Sequence, residues 1–290
     1  MTSTPFRFRT LALALTALIS TGCERAFFGV INRSTVPPDS SVVFSPANNL
    51  ALDVYRPQGG GIQNNSAQSA PVVVFFYGGS WQRGSRDQYQ FVGRRLAQNG
   101  VLAIVADYRT YPRAGFPAFM DDAAQAVAWA RRNAAQYGGD PQRVFIAGHS
   151  AGAQIAALLG TDKRYLGKAG VSERDVAGVI GLSGPYDFVI NGQYEKIFGP
   201  PSQYPLAQAI NFVDGDEPPF LLIHGDADSV VEVRDSVQMD EKLKARGGQS
   251  RLLLLPDAGH FTTVAALYDP QRAPAVLPAI LSFLRESPRS

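Results

Sequence analysis

The chain has 290 residues, of which 45% are hydrophobic and 18% charged, a composition typical of a folded globular protein and not of a disordered one. The first 22 residues hold Arg7 and Arg9 but no acidic residue, so the remainder carries 25 basic against 25 acidic side chains. The net charge of +2 therefore comes from these 22 residues alone. The remaining residues contain no basic runs, which argues against nucleic-acid binding.

The beginning of the chain has the pattern of an export signal. Arg7 and Arg9 form a basic region, and residues 11–19 are an apolar stretch too short to span a bilayer. Small residues then precede Cys23, the single cysteine of the sequence, so no disulfide can form within the chain. The arrangement resembles a bacterial lipoprotein signal, which implies a signal peptide over residues 1–22 and a lipid on Cys23 that binds the membrane. The expected location is the cell envelope, on the periplasmic or outer face; the alternatives are a plain secreted protein and an uncleaved anchor.

The remaining residues predict a short tether and one large α/β domain. Residues 23–41 are mixed in character and interrupted by proline, which predicts the tether, and residues 42–290 are long enough to bury one core. Apolar runs that favour strands alternate with amphipathic segments that favour helices, so the sheet is expected to be mostly parallel, with about eight strands and helices on both faces. Strands are predicted at residues 41–44, 50–55, 72–77, 101–106, 144–147, 176–182, 220–224 and 251–255. Helices are predicted at residues 86–99, 116–137, 151–159, 232–246 and 273–285. Residues 186–219 interrupt the alternation and predict a small cap-like excursion.

The segment at residues 144–159 carries the strongest functional signal. It runs from a strand through Gly148-His149-Ser150-Ala151-Gly152 directly into a helix. This strand–turn–helix with a G-x-S-x-G pattern lifts the serine above the sheet edge at a helix N-terminus, where backbone N–H groups stabilise negative charge. Ser150 is therefore predicted to be a nucleophile.

A serine nucleophile needs a base, and the sequence holds three histidines. His149 lies beside Ser150 in the turn and is expected to point away from it. His224 ends a buried strand, where packing or holding the next loop is the expected role. His260 follows the last strand, at the edge where a parallel sheet gathers its functional groups, and is predicted to be the base.

The base in turn needs a carboxylate to orient it and to stabilise its cationic form. The loop after the preceding strand offers Asp226 and Asp228. Asp228 lies further out and is expected to reach His260, whereas Asp226 is expected to brace the turn. Asp257 is too near His260 in sequence to support it.

The N–H groups that would stabilise an oxyanion are predicted from two places. One is Ala151, directly after the nucleophile. The others come from Gly78, Gly79 and Ser80, in a loop after the 72–77 strand whose adjacent glycines allow backbone N–H groups to turn toward a substrate.

Several motifs resemble α/β-hydrolase carboxylesterases of the hormone-sensitive-lipase and bacterial feruloyl-esterase-like groups. These are residues 77–81 (YGGSW), 107–109 (DYR), 138–141 (GGDP) and 148–152 (GHSAG). Together with residues 181–187 (GLSGPYD), the pattern is also similar to isoprenylcysteine methylesterases and arylformamidases. The resemblance covers residues 50–284 and implies an α/β-hydrolase fold with a Ser150–Asp228–His260 triad. Tyr77 stands where these families usually have histidine.

The function predicted from these residues is hydrolysis of small or medium carboxylic esters through an acyl-enzyme on Ser150. The alternatives are hydrolysis of an arylformamide or other amide, and a catalytically dead binding module on the same fold. The three dispersed histidines form no metal-ligand cluster, and no dinucleotide or phosphate loop is present, so neither a metal nor a cofactor is expected. Five aromatic residues are candidates for either an apolar pocket or the core, namely Trp81, Phe116, Phe119, Tyr186 and Phe188.

Overall fold

The computed structural model describes residues 36–58 and 69–287, together with Phe28, Ile31 and Asn32. Cys23 and the signal peptide predicted at residues 1–22 lie outside the described residues. Among the residues that are described, no helix is both long enough and apolar enough to cross a membrane.

Eight strands of the described residues form one sheet. They are β1 (Ser40–Ser45), β2 (Leu50–Tyr55), β3 (Ala70–Phe76), β4 (Leu102–Ala106), β5 (Gly139–His149), β6 (Gly178–Leu182), β7 (Phe220–Gly225) and β8 (Ser250–Leu255). Their order in the sheet is β1-β2-β4-β3-β5-β6-β7-β8, which confirms the predicted fold class. β2 pairs antiparallel with both β1 and β4, and every other neighbouring pair is parallel.

The central strands are covered on both faces. All seven residues of β3 and all five of β4 are buried. Because successive side chains of a strand point to opposite faces, burial without alternation requires packing on both sides of the sheet. The parallel strands therefore present their carboxyl ends at a common edge, where the loops that carry the polar residues emerge.

The helices follow the predicted alternation. They are α1 (Gln90–Gln98), α2 (Ala118–Asn133), α3 (Ala151–Thr161), α4 (Lys163–Lys168), α5 (Glu195–Phe198), α6 (Tyr204–Ala207), α7 (Arg234–Ala245), α8 (Thr262–Ala265) and α9 (Val276–Glu286). Short 3₁₀ turns extend several of them, including Arg86–Tyr89 before α1 and Ala134–Tyr137 after α2. Residues 183–219 between β6 and β7 contain α5 and α6 and further 3₁₀ turns.

The boundary between α2 and β5 differs from the prediction. The helix ends at Asn133, and Gly138 closes the following 3₁₀ turn with a left-handed φ of 90°. β5 then begins at Gly139, five residues before the predicted Val144, because Gly139 already pairs with Ala70 of β3. This pairing is a long-range contact that local composition does not encode.

The segment predicted as a tether is partly packed into the domain. Phe28 and Ile31 are only 3% and 2% exposed, and the Phe28 ring lies 5.0 Å from that of Tyr89. The Arg94 guanidinium donates to the backbone carbonyls of Val36 and Pro37. Burying these two large apolar side chains is favourable compared with leaving them in solvent, so the described residues of this segment contact the domain. The tether over residues 23–41 stays a prediction.

Candidate active site

Ser150 occupies a strained turn between β5 and α3. Its φ of 54° and ψ of −122° lie outside the regions that non-glycine residues favour, and its N–H is held by the Leu182 carbonyl of β6 at 2.9 Å. Two glycines make room for this turn. A Cβ on Gly148 would lie 2.1 Å from the Gly152 carbonyl oxygen, and a Cβ on Gly152 would lie 2.1 Å from the Phe76 carbonyl oxygen.

The structure brings Ser150, His260 and Asp228 into one hydrogen-bonded line. Ser150 Oγ lies 2.9 Å from His260 Nε2, and His260 Nδ1 lies 2.8 Å from Asp228 Oδ2. Ser150 follows β5, Asp228 comes from the loop after β7 and His260 from the loop after β8, so the carboxyl ends of three strands in one half of the sheet supply the three side chains. This is the arrangement in which a histidine can take the serine proton and a carboxylate can stabilise the resulting imidazolium.

The surroundings of Asp228 keep its carboxylate ionised. Oδ1 accepts the backbone N–H groups of Val230 and Val231, and Oδ2 lies 3.1 Å from Nε2 of His224 as well as bonding His260. Burial raises the pKa of Asp228, but the hydrogen bonds from His224 and His260 and the charge of His260 outweigh burial and hold the pKa well below its usual value. His224 therefore holds the loop that carries Asp228, in line with its expected role.

Asp226 and Asp257 form a separate contact between the same two loops. The Asp226 Oδ1 atom accepts the backbone N–H of Asp257 at 2.7 Å, and Asp257 adopts a φ of 54°. This bond connects the loop after β7 to the loop that leads into His260. Asp226 thus braces the turns, while Asp228 makes the contact with the imidazole.

The predicted N–H donors separate into two groups. Across the described ranges, no acceptor bonds to the N–H of Gly79, Ser80 or Ala151, which leaves all three available to a substrate oxygen. Gly78 is a correction, because its N–H already donates to the Tyr89 hydroxyl at 3.3 Å. Gly78 serves close packing instead, since a Cβ there would lie 2.9 Å from Nδ1 of His149.

Tyr77, which stands where the similar families have histidine, supports the glycine loop from below. Its ring stacks on that of Tyr108 at 4.6 Å, and its hydroxyl donates to the Tyr108 carbonyl at 3.3 Å. Burial and the neighbouring Asp107 carboxylate raise the pKa of the Tyr77 hydroxyl, which keeps it protonated as a donor. The substitution therefore retains a polar group that holds the loop.

A cavity of about 200 Å³ opens beside Ser150. Most of its lining residues are apolar or aromatic and three are charged; they are Ser80, Trp81, Ser150, Pro185, Phe188, Val189, Tyr194, Val230, Val231, Glu232, Arg234 and Asp235. Of the five aromatic candidates, Trp81 and Phe188 line this cavity, whereas Phe116, Phe119 and Tyr186 belong to the core. The cavity is large enough for a short acyl or alcohol group.

Gln154 is a site residue that the sequence analysis missed. It is fully buried on α3, one turn after Ser150, and its Oε1 accepts the Trp81 indole N–H at 3.1 Å. Its Nε2 donates to the Ala207 carbonyl of α6 at 2.8 Å. Gln154 therefore links the glycine loop, the nucleophile helix and the 183–219 segment. In the sequence, the signal for this role is a glutamine within the otherwise apolar helix predicted at residues 151–159.

The structural class follows from these features. A mostly parallel eight-stranded sheet carries a strained serine between a strand and a helix, with the acid and the histidine after two later strands. This order along the chain and this geometry define an α/β hydrolase. No group of three or more His, Cys, Asp or Glu side chains is placed to hold a metal ion in the described part of the chain.

The comparisons with known proteins agree with this class. The model of the BD-FAE family matches residues 52–243, and the chain belongs to this family. It is 34% identical over 260 residues to esterase LipC of Mycobacterium tuberculosis, which covers 82% of this chain and 62% of LipC. It is 30% identical over 255 residues to the isoprenylcysteine alpha-carbonyl methylesterase ICME of Arabidopsis thaliana, which covers 80% of this chain and 58% of that protein.

A solved structure supports the fold independently. Thermogutta terrifontis esterase 2 phosphoramylated by tabun has a TM-score of 0.73 at 24% identity, covering 85% of this chain and 94% of that chain. The chain spans only 58–62% of the length of LipC and ICME, so these curated relatives are considerably longer.

Proposed function

We propose that the protein is a serine carboxylesterase that acts through an acyl-enzyme on Ser150. The observation that carries the proposal is the continuous line of hydrogen bonds from Ser150 Oγ through His260 to Asp228, at 2.9 and 2.8 Å. The names of LipC and ICME, both of them esterases, support the same reaction class.

In the acylation step, Ser150 Oγ attacks the ester carbonyl carbon while its proton moves to Nε2 of His260. The carbonyl oxygen becomes an oxyanion that accepts the N–H groups of Ala151, Gly79 and Ser80. As the C–O bond to the alcohol breaks, His260 returns the proton to the leaving oxygen. A water molecule then repeats the sequence on the acyl-enzyme, releases the acid and restores Ser150.

The size and lining of the cavity beside Ser150 favour small or medium esters. Trp81, Phe188 and Tyr194 supply an apolar wall, in which the Trp81 ring stacks on Phe188 at 5.2 Å and meets Tyr194 edge-to-face at 5.7 Å. A cavity of about 200 Å³ accommodates a few carbon atoms beyond the ester group, and a longer chain would extend past the exposed Val189 and Val230.

The mechanism is tested by hydrolysis of p-nitrophenyl acetate with the Ser150→Ala variant. We expect turnover to fall to background and labelling by a fluorophosphonate to be lost. The unfolding temperature should stay close to the wild-type value, because alanine keeps the Cβ and removes only the hydroxyl. Wild-type turnover in the variant would disprove the assignment of Ser150. An inactive wild-type protein would favour the binding-module alternative.

The amide alternative is tested with a matched pair of substrates, phenyl formate and formanilide, which differ only in the leaving atom. An esterase should prefer the ester, because an anilide nitrogen is the poorer leaving group and needs protonation by His260 before it departs. A higher kcat/KM for formanilide would move the assignment to amide hydrolysis.

We also propose that Cys23 carries a lipid and holds the protein in the cell envelope, a proposal supported by the sequence pattern of residues 7–23. Four residues separate Cys23 from Phe28, which is buried in the domain. A chain of this length spans at most about 18 Å, so the catalytic domain would lie close to the membrane surface. Membrane fractionation and intact-mass analysis of wild-type and Cys23→Ser protein test the proposal. An unmodified mature N-terminus, or an unchanged membrane fraction for the variant, would disprove it.

A further inference from the structure

Two buried side chains connect the glycine loop to the loop of His260, behind the nucleophile. The Tyr89 hydroxyl lies 3.3 Å from the Gly78 nitrogen and 3.4 Å from Nδ1 of His149. On the other side of the His149 imidazole, Nε2 lies 3.1 Å from the His260 carbonyl oxygen. Tyr89 and His149 are 1% and 0% exposed, so these contacts are made away from water.

The direction of each hydrogen bond in this chain follows from the acceptors. A carbonyl oxygen can only accept, so Nε2 of His149 must carry the proton that is donated to His260. In a neutral imidazole, Nδ1 is then an acceptor, and the Tyr89 hydroxyl donates to it. The Tyr89 oxygen in turn accepts the Gly78 N–H. Every proton along the path therefore has an acceptor, and each group is used in one consistent direction.

The surroundings keep His149 neutral. Complete burial lowers the pKa of His149 to about 3, and the nearby His260 adds to the effect. The two imidazole rings are 4.9 Å apart, so a charged His149 would oppose the positive charge that His260 acquires during the reaction. A neutral ring avoids this repulsion and preserves the acceptor that Tyr89 needs.

We propose that His149 and Tyr89 are positioning residues that hold the glycine loop and the His260 loop in register on either side of Ser150. The inference rests on the proposed function, because it requires these two loops to supply the oxyanion donors and the base. The glycine loop touches the nucleophile turn directly, since a Cβ on Gly78 would lie 3.1 Å from the Cβ of Ser150. A small shift of Gly78 would therefore displace the adjacent N–H groups of Gly79 and Ser80 from the reacting oxygen.

The sharpest test is Tyr89→Phe, which removes one hydroxyl and keeps the ring. Tyr55→Phe is the matched control, because the Tyr55 hydroxyl is also buried but bonds to no group among the described residues. We expect Tyr89→Phe to lower kcat on p-nitrophenyl acetate about 10-fold with KM changed less than about 2-fold, and Tyr55→Phe to change neither. An inhibitor that forms an oxyanion on Ser150, such as a trifluoromethyl ketone, should bind more weakly by the same factor as kcat falls.

His149→Phe and the double variant test whether the two residues act through one path. If they do, the double variant should lose no more activity than the more impaired of the two single variants. Wild-type kcat in Tyr89→Phe, losses that multiply in the double variant, or a fall confined to thermal stability would overturn the inference. Should His149→Phe fail to fold, Tyr89→Phe with the inhibitor decides alone. Absence of esterase activity in the wild-type protein, or its retention in Ser150→Ala, would instead refute the proposed function and this inference with it.

Discussion

At the scale of single residues, two aspartates only two positions apart have different tasks. Asp228 contacts the rings of both His224 and His260, whereas Asp226 accepts a backbone N–H from the neighbouring loop. The difference arises because the loop after β7 turns back on itself, with Val230 and Val231 both donating to Asp228. An acceptor for a backbone N–H need not be charged, but the partner of an imidazolium must be.

We therefore expect Asp228→Asn to lower kcat by about 10²–10⁴, because a neutral amide cannot stabilise protonated His260. Asp226→Asn should have a much smaller effect, since its amide oxygen still accepts the Asp257 N–H. Steady-state kinetics of the two variants on one ester provide the measurement. The opposite ranking would transfer the role of the acid to Asp226.

Gln154 is the second position where one side chain has a measurable role. Gln154→Leu leaves the Trp81 N–H and the Ala207 carbonyl without their buried partner, which costs about 1–3 kcal/mol of stability for each buried group left unpaired. We expect a lower unfolding temperature, a higher KM and a changed Trp81 fluorescence spectrum, measured in a Trp129→Phe background so that Trp81 is the sole tryptophan. Gln238→Leu, at an exposed position on α7, is the control for the substitution itself. An unchanged spectrum and KM would contradict the role assigned to Gln154.

At the scale of elements, α3 approaches the sheet closely because it begins with small residues. Gly152 in its first turn packs against the backbone of Phe76 and Tyr77, where β3 ends and the glycine loop begins. The nucleophile, its helix and the glycine loop therefore depend on one backbone contact. This close approach explains why the helix following Ser150 starts with Ala-Gly-Ala.

We predict that Gly152→Ala destabilises the protein by at least about 1–3 kcal/mol, because its Cβ would overlap the Phe76 carbonyl oxygen. Gly167→Ala on α4 is the matched control: nothing lies within 4 Å of the added Cβ, and the change should stabilise by about 0.4–1 kcal/mol. Denaturant unfolding of both variants gives the comparison. Equal stability of the two would show that the backbone at Gly152 yields without cost.

At the scale of the whole molecule, stability depends on pH through groups that burial perturbs. Asp235 in the first turn of α7 is 3% exposed, and it accepts the backbone N–H groups of Tyr186 and Asp187. Burial raises the pKa of Asp235 to about 6 and outweighs these two hydrogen bonds, which lower it. Between the ordinary value of 3.8 and 6, the folded state binds more protons than the unfolded one, so the contribution of Asp235 to stability falls as pH rises through this window.

Asp235→Asn should therefore raise the unfolding temperature at pH 8 and change it little at pH 4. The asparagine oxygen can still accept the two N–H groups, and it removes the cost of burying a charge, on the order of 2 kcal/mol above pH 6. Thermal unfolding of wild type and variant at both pH values tests this. A larger destabilisation at pH 8 than at pH 4 would mean that the ionised carboxylate is favourable in the folded protein.

Much of the architecture could be predicted from the sequence because the relevant signals are local. The apolar runs of β2, β3 and β7 and the glycines around Ser150 act through neighbours in the chain, and they predicted the parallel sheet and the position of the nucleophile. The order of Ser150, Asp228 and His260 along the chain also follows from strand order alone. The identity of Asp228 rested on its greater distance from the strand end, which is a weaker local argument.

Other features were decided only by the tertiary structure, because they depend on residues that are distant in sequence. Gly78 and Gly79 look equivalent in the sequence, yet Tyr89 occupies the N–H of Gly78 and leaves that of Gly79 available. The packing of Phe28 in the core, the early start of β5 and the link from Gln154 to Ala207 are likewise contacts between separate elements. Local pattern sets which element forms and which side chains it offers. Only the packing of elements sets which polar groups are already paired and which remain for a substrate, because each hydrogen bond depends on the positions of two distant backbones.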